Sequence, residues 1–323
     1  MKNLRMTKRL AIPLALVFVA TIAAGLASGR DKRERYEEKF ARTEALANNG
    51  KVYLTNISGD IEIKTWKEEQ VKIEALKVSE ASTLDKAKEN AALVPIEVTQ
   101  EAGTLRIETK YPERRGFWGN NSINVSVSYK LWIPEKASVD VKSISGDVRL
   151  DPIGGSAKVR SISGNVGVLG AAGADISVTS GDLTVANIMG DAYIKTISGT
   201  VKATKVQGSV ETESVSGDLE LRDVSEARTV TGKTISGDIT YVGTILAGGN
   251  YELTAHSGNV VMHIPANSSF DLEAGTFSGV IDSDFQIQVE GKISPKEIHG
   301  TVNKGGARIR AKSFSGNVEI KKH

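Results

Sequence analysis

From Lys51 onward the chain alternates apolar and polar residues with a period of two, which turns one face of a strand to a core and the other to water. The stretch "KVYLTNISGDIEIKTWKEEQVKIEAL" reads as strand, turn and strand, with Ser58-Gly59 at the turn. Ser82–Ala92 departs from that period, and its Lys, Glu and Ala content predicts a short helix. Strands resume at "VPIEVTQEAGTLRIETKY". The loop "PERRGFWGNN" (Pro112–Asn121) then leads to "INVSVSYKLWIP", which ends at Pro134.

Beyond Pro134 the alternation becomes a repeat. Ser-Gly pairs begin at Ser145, Ser163, Ser180, Ser198, Ser216, Ser236, Ser257, Ser278 and Ser315, spaced 18, 17, 18, 18, 20, 21, 21 and then 37 residues, the last about two periods. Two residues past each repeat glycine stands an apolar residue: Val148, Val166, Leu183, Val201, Leu219, Ile239, Val260, Ile281 and Val318. On the preceding strand Val141, Val159, Ile176 and Ile194 form another inward row, with the small Ser143, Ser161, Thr196 and Ser214 two places later. A unit this short cannot bury a hydrophobic face alone, so the units must stack. The predicted fold is an all-β, repetitive β-solenoid with two short strands per coil of about 18 residues. It follows an N-terminal β region that contains one short helix. The expected divisions are a targeting segment over 1–27, a charged linker over 28–50, the N-terminal β region over 51–134 and the solenoid over 135–321.

The corners carry the repeat's chemistry. Gly146, Gly164, Gly181, Gly199, Gly217, Gly237 and Gly258 supply the positive φ or close backbone approach that a coil corner needs. After each glycine runs a column that reads Asp147, Asn165, Asp182, Thr200, Asp218, Asp238, Asn259 and Val280. Stacked coils bring such residues to about 4.8 Å from one another. Neutral residues interrupt the acids at most steps, as a structural column requires and a calcium site does not. Before each Ser-Gly lies a mostly apolar row: Ile144, Ile162, Thr179, Ile197, Val215, Ile235, His256, Phe277 and Phe314. Alternation points this row outward, while a bulge at the corner would turn it inward. If outward, it is a candidate interface centred on Ile144, Ile162, Ile197, Val215 and Ile235.

Charge and composition narrow the function. Lys2, Arg5, Lys8 and Arg9 precede an uncharged apolar run, Leu10–Ala27, with Gly25 and Ala27 placed for a signal peptidase. This predicts export, with the segment either cleaved or kept as a membrane anchor. Without residues 1–27 the chain has 39 acidic residues against 37 basic ones, which gives no electrostatic reason to bind nucleic acid. Arg30–Phe40 reads as a mixed-charge spacer. The chain has no cysteine, which excludes disulfides, thiolate metal sites, cysteine catalysis and lipid attachment through an N-terminal cysteine.

No catalytic, metal or cofactor constellation emerges. "TGKT" at Thr231–Thr234 has the end of a phosphate-binding loop, but its required first glycine falls on Ala227. Of the histidines His256, His263, His299 and His323, the pair His256 and His263 are neither three nor four residues apart on a plausible helix, and no clustered carboxylates accompany them. Asp282 and Asp284 share a strand face, without the partner set of a glycosidase. Phe117 and Trp118, after Arg114 and Arg115, are candidate contacts for a sugar, lipid or protein.

Four stretches together resemble a family of bacterial exported proteins described as "putative adhesins", a domain of unknown function. They are "LTNISGDIEIKTW", "YKLWIPEKASVDVKSISGDVRL", "HSGNVVMHIPANSSFDLEAGTFSGVIDSDF" and "ARIRAKSFSGNVEI", and the resemblance runs from Gly50 to Ile320. It implies a β-solenoid-like envelope protein, and with no catalytic signature among the residues the expected role is that of a non-enzymatic exported interaction or scaffold protein, adhesin-like. Its expected partner is a protein or cell-surface component, or a second copy. Membrane contact is expected only through the N-terminal segment. Two alternatives stand beside this: a filament-forming structural solenoid, and a polysaccharide-active one, which would need a groove with three or more clustered acids.

Overall fold

The structure is a computed structural model that describes residues 33–112, 123–224, 226–289 and 294–323. The N-terminal part comprises β1 (Glu34–Ala45), β2 (Lys51–Ser58), β3 (Ile61–Trp66) and β4 (Gln70–Ala81). Then come α1 (Leu84–Ala92), β5 (Ile96–Glu101), β6 (Thr104–Thr109) and β7 (Asn124–Pro134). Seven two-strand coils follow. The first four are β8–β9 (Ser138–Ser145, Val148–Leu150), β10–β11 (Ser156–Ser163, Val166–Val168), β12–β13 (Gly173–Ser180, Leu183–Ile188) and β14–β15 (Ala192–Ser198, Val201–Val206). The next three are β16–β17 (Val210–Ser216, Leu219–Val224), β18–β19 (Thr229–Ser236, Ile239–Gly243) and β20–β21 (Asn250–Ser257, Val260–Ile264). The C-terminal part holds β22 (Phe270–Thr276), β23 (Ile281–Ser283), β24 (Gln288–Val289), β25 (Glu297–Val302), β26 (Ala307–Ser315) and β27 (Val318–Lys322).

The first strand of each coil joins one long sheet and the second strand joins another. Coils stack parallel and in register: Val159 lies beside Val141 and Ile176, and Val166 beside Val148 and Leu183. Identical positions therefore meet from coil to coil, and the inward rows of both sheets merge into one continuous core. Tyr241 and Tyr251 fill its wider region edge to face, with ring centroids 5.9 Å apart. Their phenols donate to the carbonyls of Thr244 (2.7 Å) and Ala227 (3.0 Å), so neither buried hydroxyl lacks a partner. The "TGKT" stretch lies within β18, where a Cβ on Gly232 would come within 2.9 Å of Leu253 Cδ2. That glycine makes room in the core, and the stretch is a strand rather than a phosphate loop.

Three expectations need revision. The charged linker over 28–50 holds strand β1, paired antiparallel with β4 from Glu34↔Ala81 to Ala45↔Gln70. One of its charges, Glu38, reaches across the pairing. Buried Lys77 of β4 reaches Glu38 at 3.3 Å and also donates to the Ala91 carbonyl at 3.1 Å, which ties α1 to the sheet. The division at 134/135 is likewise not a structural break. Strands β2 and β3 form a solenoid coil of their own, wedged between β6 and β8 in one sheet and between β7 and β9 in the other. Finally, the gap of 37 residues before Ser315 is no skipped coil. β26–β27 stacks directly on β20–β21, and β22–β23 lies outside it.

Candidate functional site

The coil corner sets the geometry of the surface. Between neighbouring coils the strand register pairs Ser161 with Ser143 and then Ser163 with Ser145, passing over Ile162 and Ile144. The alternation holds up to that point, with Ser143 and Ser161 buried, and so leaves the pre-serine side chains outside the core. Ile144, Ile162, Ile197, Val215 and Ile235 are 44–55% exposed. The open choice between inward and outward is thus resolved: the row faces water.

Just past the row, the corner glycines carry a positive φ, +119° at Gly164 and +132° at Gly199. A Cβ on Gly164 would lie 2.2 Å from the Gly146 carbonyl oxygen of the coil beneath, and one on Gly199 would lie 2.1 Å from that of Gly181. Both the backbone conformation and the approach require glycine. The next column is a ladder of hydrogen bonds. The amide of Asn165 donates to Asp147 Oδ1 (2.8 Å), Asp182 to Asn165 Oδ1 (2.9 Å) and Thr200 to Asp182 Oδ1 (2.9 Å). It resumes with Asp238 on Asp218 Oδ1 (2.8 Å) and Asn259 on Asp238 Oδ1 (2.7 Å). Aspartate and asparagine serve equally here because each presents the same acceptor oxygen.

Towards the C-terminal end the stripe turns aromatic. His256, Phe314 and Phe277 stack nearly parallel, with centroids 4.9 and 4.8 Å apart, although Phe277 precedes Phe314 in sequence. The interleaved coil order produces that arrangement. Phe277 is 71% exposed.

Beside the stripe, two residues earlier on each strand, runs a second outward row that includes Lys142, Arg160, Lys195, Glu213 and Lys233. The two rows bound a groove of about 820 Å³ that crosses all seven central coils, from Lys142 to His256. Arg160 pairs with Asp175 at 3.2 Å, and Lys195 with Glu213 at 3.0 Å. Among the described residues, Lys142 and Lys233 make no ion pair. A second concavity of about 740 Å³ lies on the outer face near β3, β4 and β7, where Glu62 is held by Lys64 (2.9 Å) and Lys130 (3.3 Å).

The remaining sequence candidates do not converge. Lys321 takes both Asp282 and Asp284 as partners, and its hydrogen bond holds the Asp282 carboxyl below its ordinary range. A glycosidase acid needs the opposite shift. His299 lies 3.0 Å from Glu297, and among the described residues no three His, Cys, Asp or Glu side chains cluster as metal ligands. Phe117 and Trp118 lie outside the described residues. The basic row and the aromatic stack escaped the sequence reading. The first repeats at the same spacing as the stripe and was discernible; the second depends on a coil order that spacing does not reveal.

Solved structures resemble this chain at low identity. A "putative cell adhesion protein" from Clostridium sporogenes shares 12% identity, with 90% of this chain and 100% of that one covered and a TM-score of 0.23. A "putative adhesin" from Bacteroides fragilis shares 13% (88% and 97% covered, TM-score 0.38), and another from Parabacteroides distasonis shares 12% (88% and 97%, TM-score 0.40). No curated protein matches the chain. The family description that fits is Toastrack DUF4097, which matches residues 50–321, from β2 through the final coil. With the stacked Ser-Gly corners filling that span, the chain belongs to the Toastrack DUF4097 family.

Proposed function

We propose that this protein is an exported, non-enzymatic component of the cell envelope, adhesin-like, which holds a protein or surface component against the apolar stripe. The observation that carries this reading is the outward row itself. Ile144, Ile162, Ile197, Val215 and Ile235 occupy a water-facing position where serine or lysine would fit without strain. A continuous apolar strip across stacked coils is larger than the scattered apolar residues of an ordinary surface, and such strips mark interaction sites. The core beneath is continuous and the coils are in register, so the strip runs as an unbroken edge.

The basic flank and apolar run of residues 1–27 support export. Against the polysaccharide-active alternative stands the pairing of Asp282 and Asp284 with Lys321. Against the filament stand the ends of the stack. Three of their four sheet edges, β1, β5 and β24, are antiparallel strands that do not continue the parallel coil pattern into a neighbour, and β23 alone among the described strands ends a sheet in parallel.

The test is the double variant Ile162→Lys with Ile197→Lys. Circular dichroism should retain the β signal, while cosedimentation with isolated envelopes and self-association in the ultracentrifuge should be lost. A lost β signal would make the row part of the core, and unchanged association would remove the stripe as an interface.

A further inference from the structure

Of the concave surfaces, the groove between the stripe and the basic row is the one whose chemistry selects a ligand. We infer that it binds the single acyl chain of a monomeric anionic amphiphile, laid along the coil stack. This rests on the reading of the stripe as the interaction surface and names the class of ligand. Seven coils at about 4.8 Å give a channel roughly 29 Å long, and rows two residues apart on a strand stand about 7 Å apart. That is wide enough for one hydrocarbon chain and too narrow for a helix about 10 Å across. The volume of about 820 Å³ is of the size that encloses a small molecule.

Hydrogen bonding excludes an extended peptide. The main-chain groups of the strands that floor the groove are engaged in the ladders between coils. A peptide lying across those strands would find no backbone partner, and its own desolvated amides would be left unpaired. A run of methylenes has no such groups.

Charge then sets the polarity of the ligand. In the middle of the groove the cations are neutralised within the protein, Arg160 by Asp175 and Lys195 by Glu213. The ammonium groups without an ion pair among the described residues, Lys142 and Lys233, stand about five coils apart, near the two ends. An apolar, internally neutral middle with a cation towards each end matches a hydrocarbon chain whose anionic head settles on Lys142 or Lys233. The chain itself lies against Ile162, Ile197 and Val215.

The experiment is isothermal titration of the full chain with sodium palmitate below its micellar concentration. Laurate, palmitic acid methyl ester and phosphatidylglycerol vesicles serve as comparison probes. Saturable binding near one per chain is expected. The twelve-carbon chain and the uncharged ester should each bind at least about tenfold more weakly, since each buried methylene and the head charge contribute. Lys142→Glu with Lys233→Glu should lower the affinity at least tenfold, as should Ile197→Asp. Glu220→Lys, on the opposite sheet, should leave it unchanged. If Ile197→Asp loses its β signal, Ile235→Thr takes its place with the same expectation. Absence of saturable binding, or binding indifferent to both groove variants, overturns the inference. So does binding to vesicles alone, which would assign the groove to a bilayer surface. Should palmitate fail while envelope association still depends on Ile162 and Ile197, the ligand class falls and the stripe stands. Should both fail, the stripe falls too.

Discussion

A corner glycine is irreplaceable only where another coil lies beneath it. Gly164→Val combines a φ of +119° with a contact to the Gly146 carbonyl, and we expect it to cost about 3 kcal/mol or more in denaturant melts. Gly167 tests the point from the other side. It has open space around its Cβ position and lies mid-strand in β11, so Gly167→Thr should be neutral or stabilise by about 0.5 kcal/mol. The corner column makes a second prediction. Asp182→Asn keeps the acceptor for the Thr200 amide and should change stability little, whereas Asp182→Ala removes it and should cost about 1 kcal/mol. Unchanged stability in Asp182→Ala, by the same melts, would show that the ladder contributes nothing. The glycines and the alternation of Asp with Asn were legible in the sequence because the period repeats them. Their hydrogen-bond donor was not, since it is the backbone of another coil and appears only once the stacking register is known.

Single strands show where local pattern misleads. β1 reads as a spacer because Glu, Arg and Lys crowd it, yet β4 pairs with it along its whole length. Charge density measures affinity for water and says nothing about a partner 25 to 47 residues away. Helix α1, by contrast, was legible from composition alone, and its N-cap Thr83 accepts the Lys86 amide at 3.3 Å. At the other end, Glu273 of β22 faces Lys312 (2.6 Å) and Arg310 (2.9 Å) of β26 and is 17% exposed. Burial raises its carboxyl pKa, but Lys312 and Arg310 outweigh that and hold it at about 2. A depressed folded-state value stabilises above the unfolded value of about 4.5, and this contribution fades as pH falls towards 2. Glu273→Gln should therefore lower stability at neutral pH by on the order of 2 kcal/mol and flatten the acid limb between pH 4.5 and 2. A pH series of urea melts reads both, and an unaltered acid limb would dismiss the triad.

Over the whole molecule, both ends of the stack depart from chain order. The coil β2–β3 is held between β6–β7 and β8–β9, and β26–β27 between β20–β21 and β22–β23, so both lie inside the stack rather than at its edge. Late segments of a chain commonly fray, yet β26 and β27 are flanked on both sides, whereas β1 is an edge strand. Hydrogen exchange should find the amides of Ile309 and Ile320 protected comparably to those of Ile194 and Val201, and fast exchange at Ile320 would contradict the interleaving. The solenoid class was readable from the Ser-Gly period, but this threading was not, because a spacing gives the number of coils and not their order. Export belongs to this scale as well. N-terminal sequencing of the envelope-associated protein should find a chain that begins near Ser28, or an intact Met1 if the segment is an anchor; Met1 in a soluble cytoplasmic pool would refute export. The interleaving also constrains the order in which the molecule is built. A chain emerging N-terminus first can add β8 to β21 coil upon coil as each appears, since every contact is with the coil before it. At the C-terminal end that rule fails, because β22–β23 reaches its place only after β26–β27 has gone beneath it. The coil β26–β27 is thus the one that assembly of this end waits for, and an interrupted chain keeps an open, growing edge on β20–β21 until it arrives.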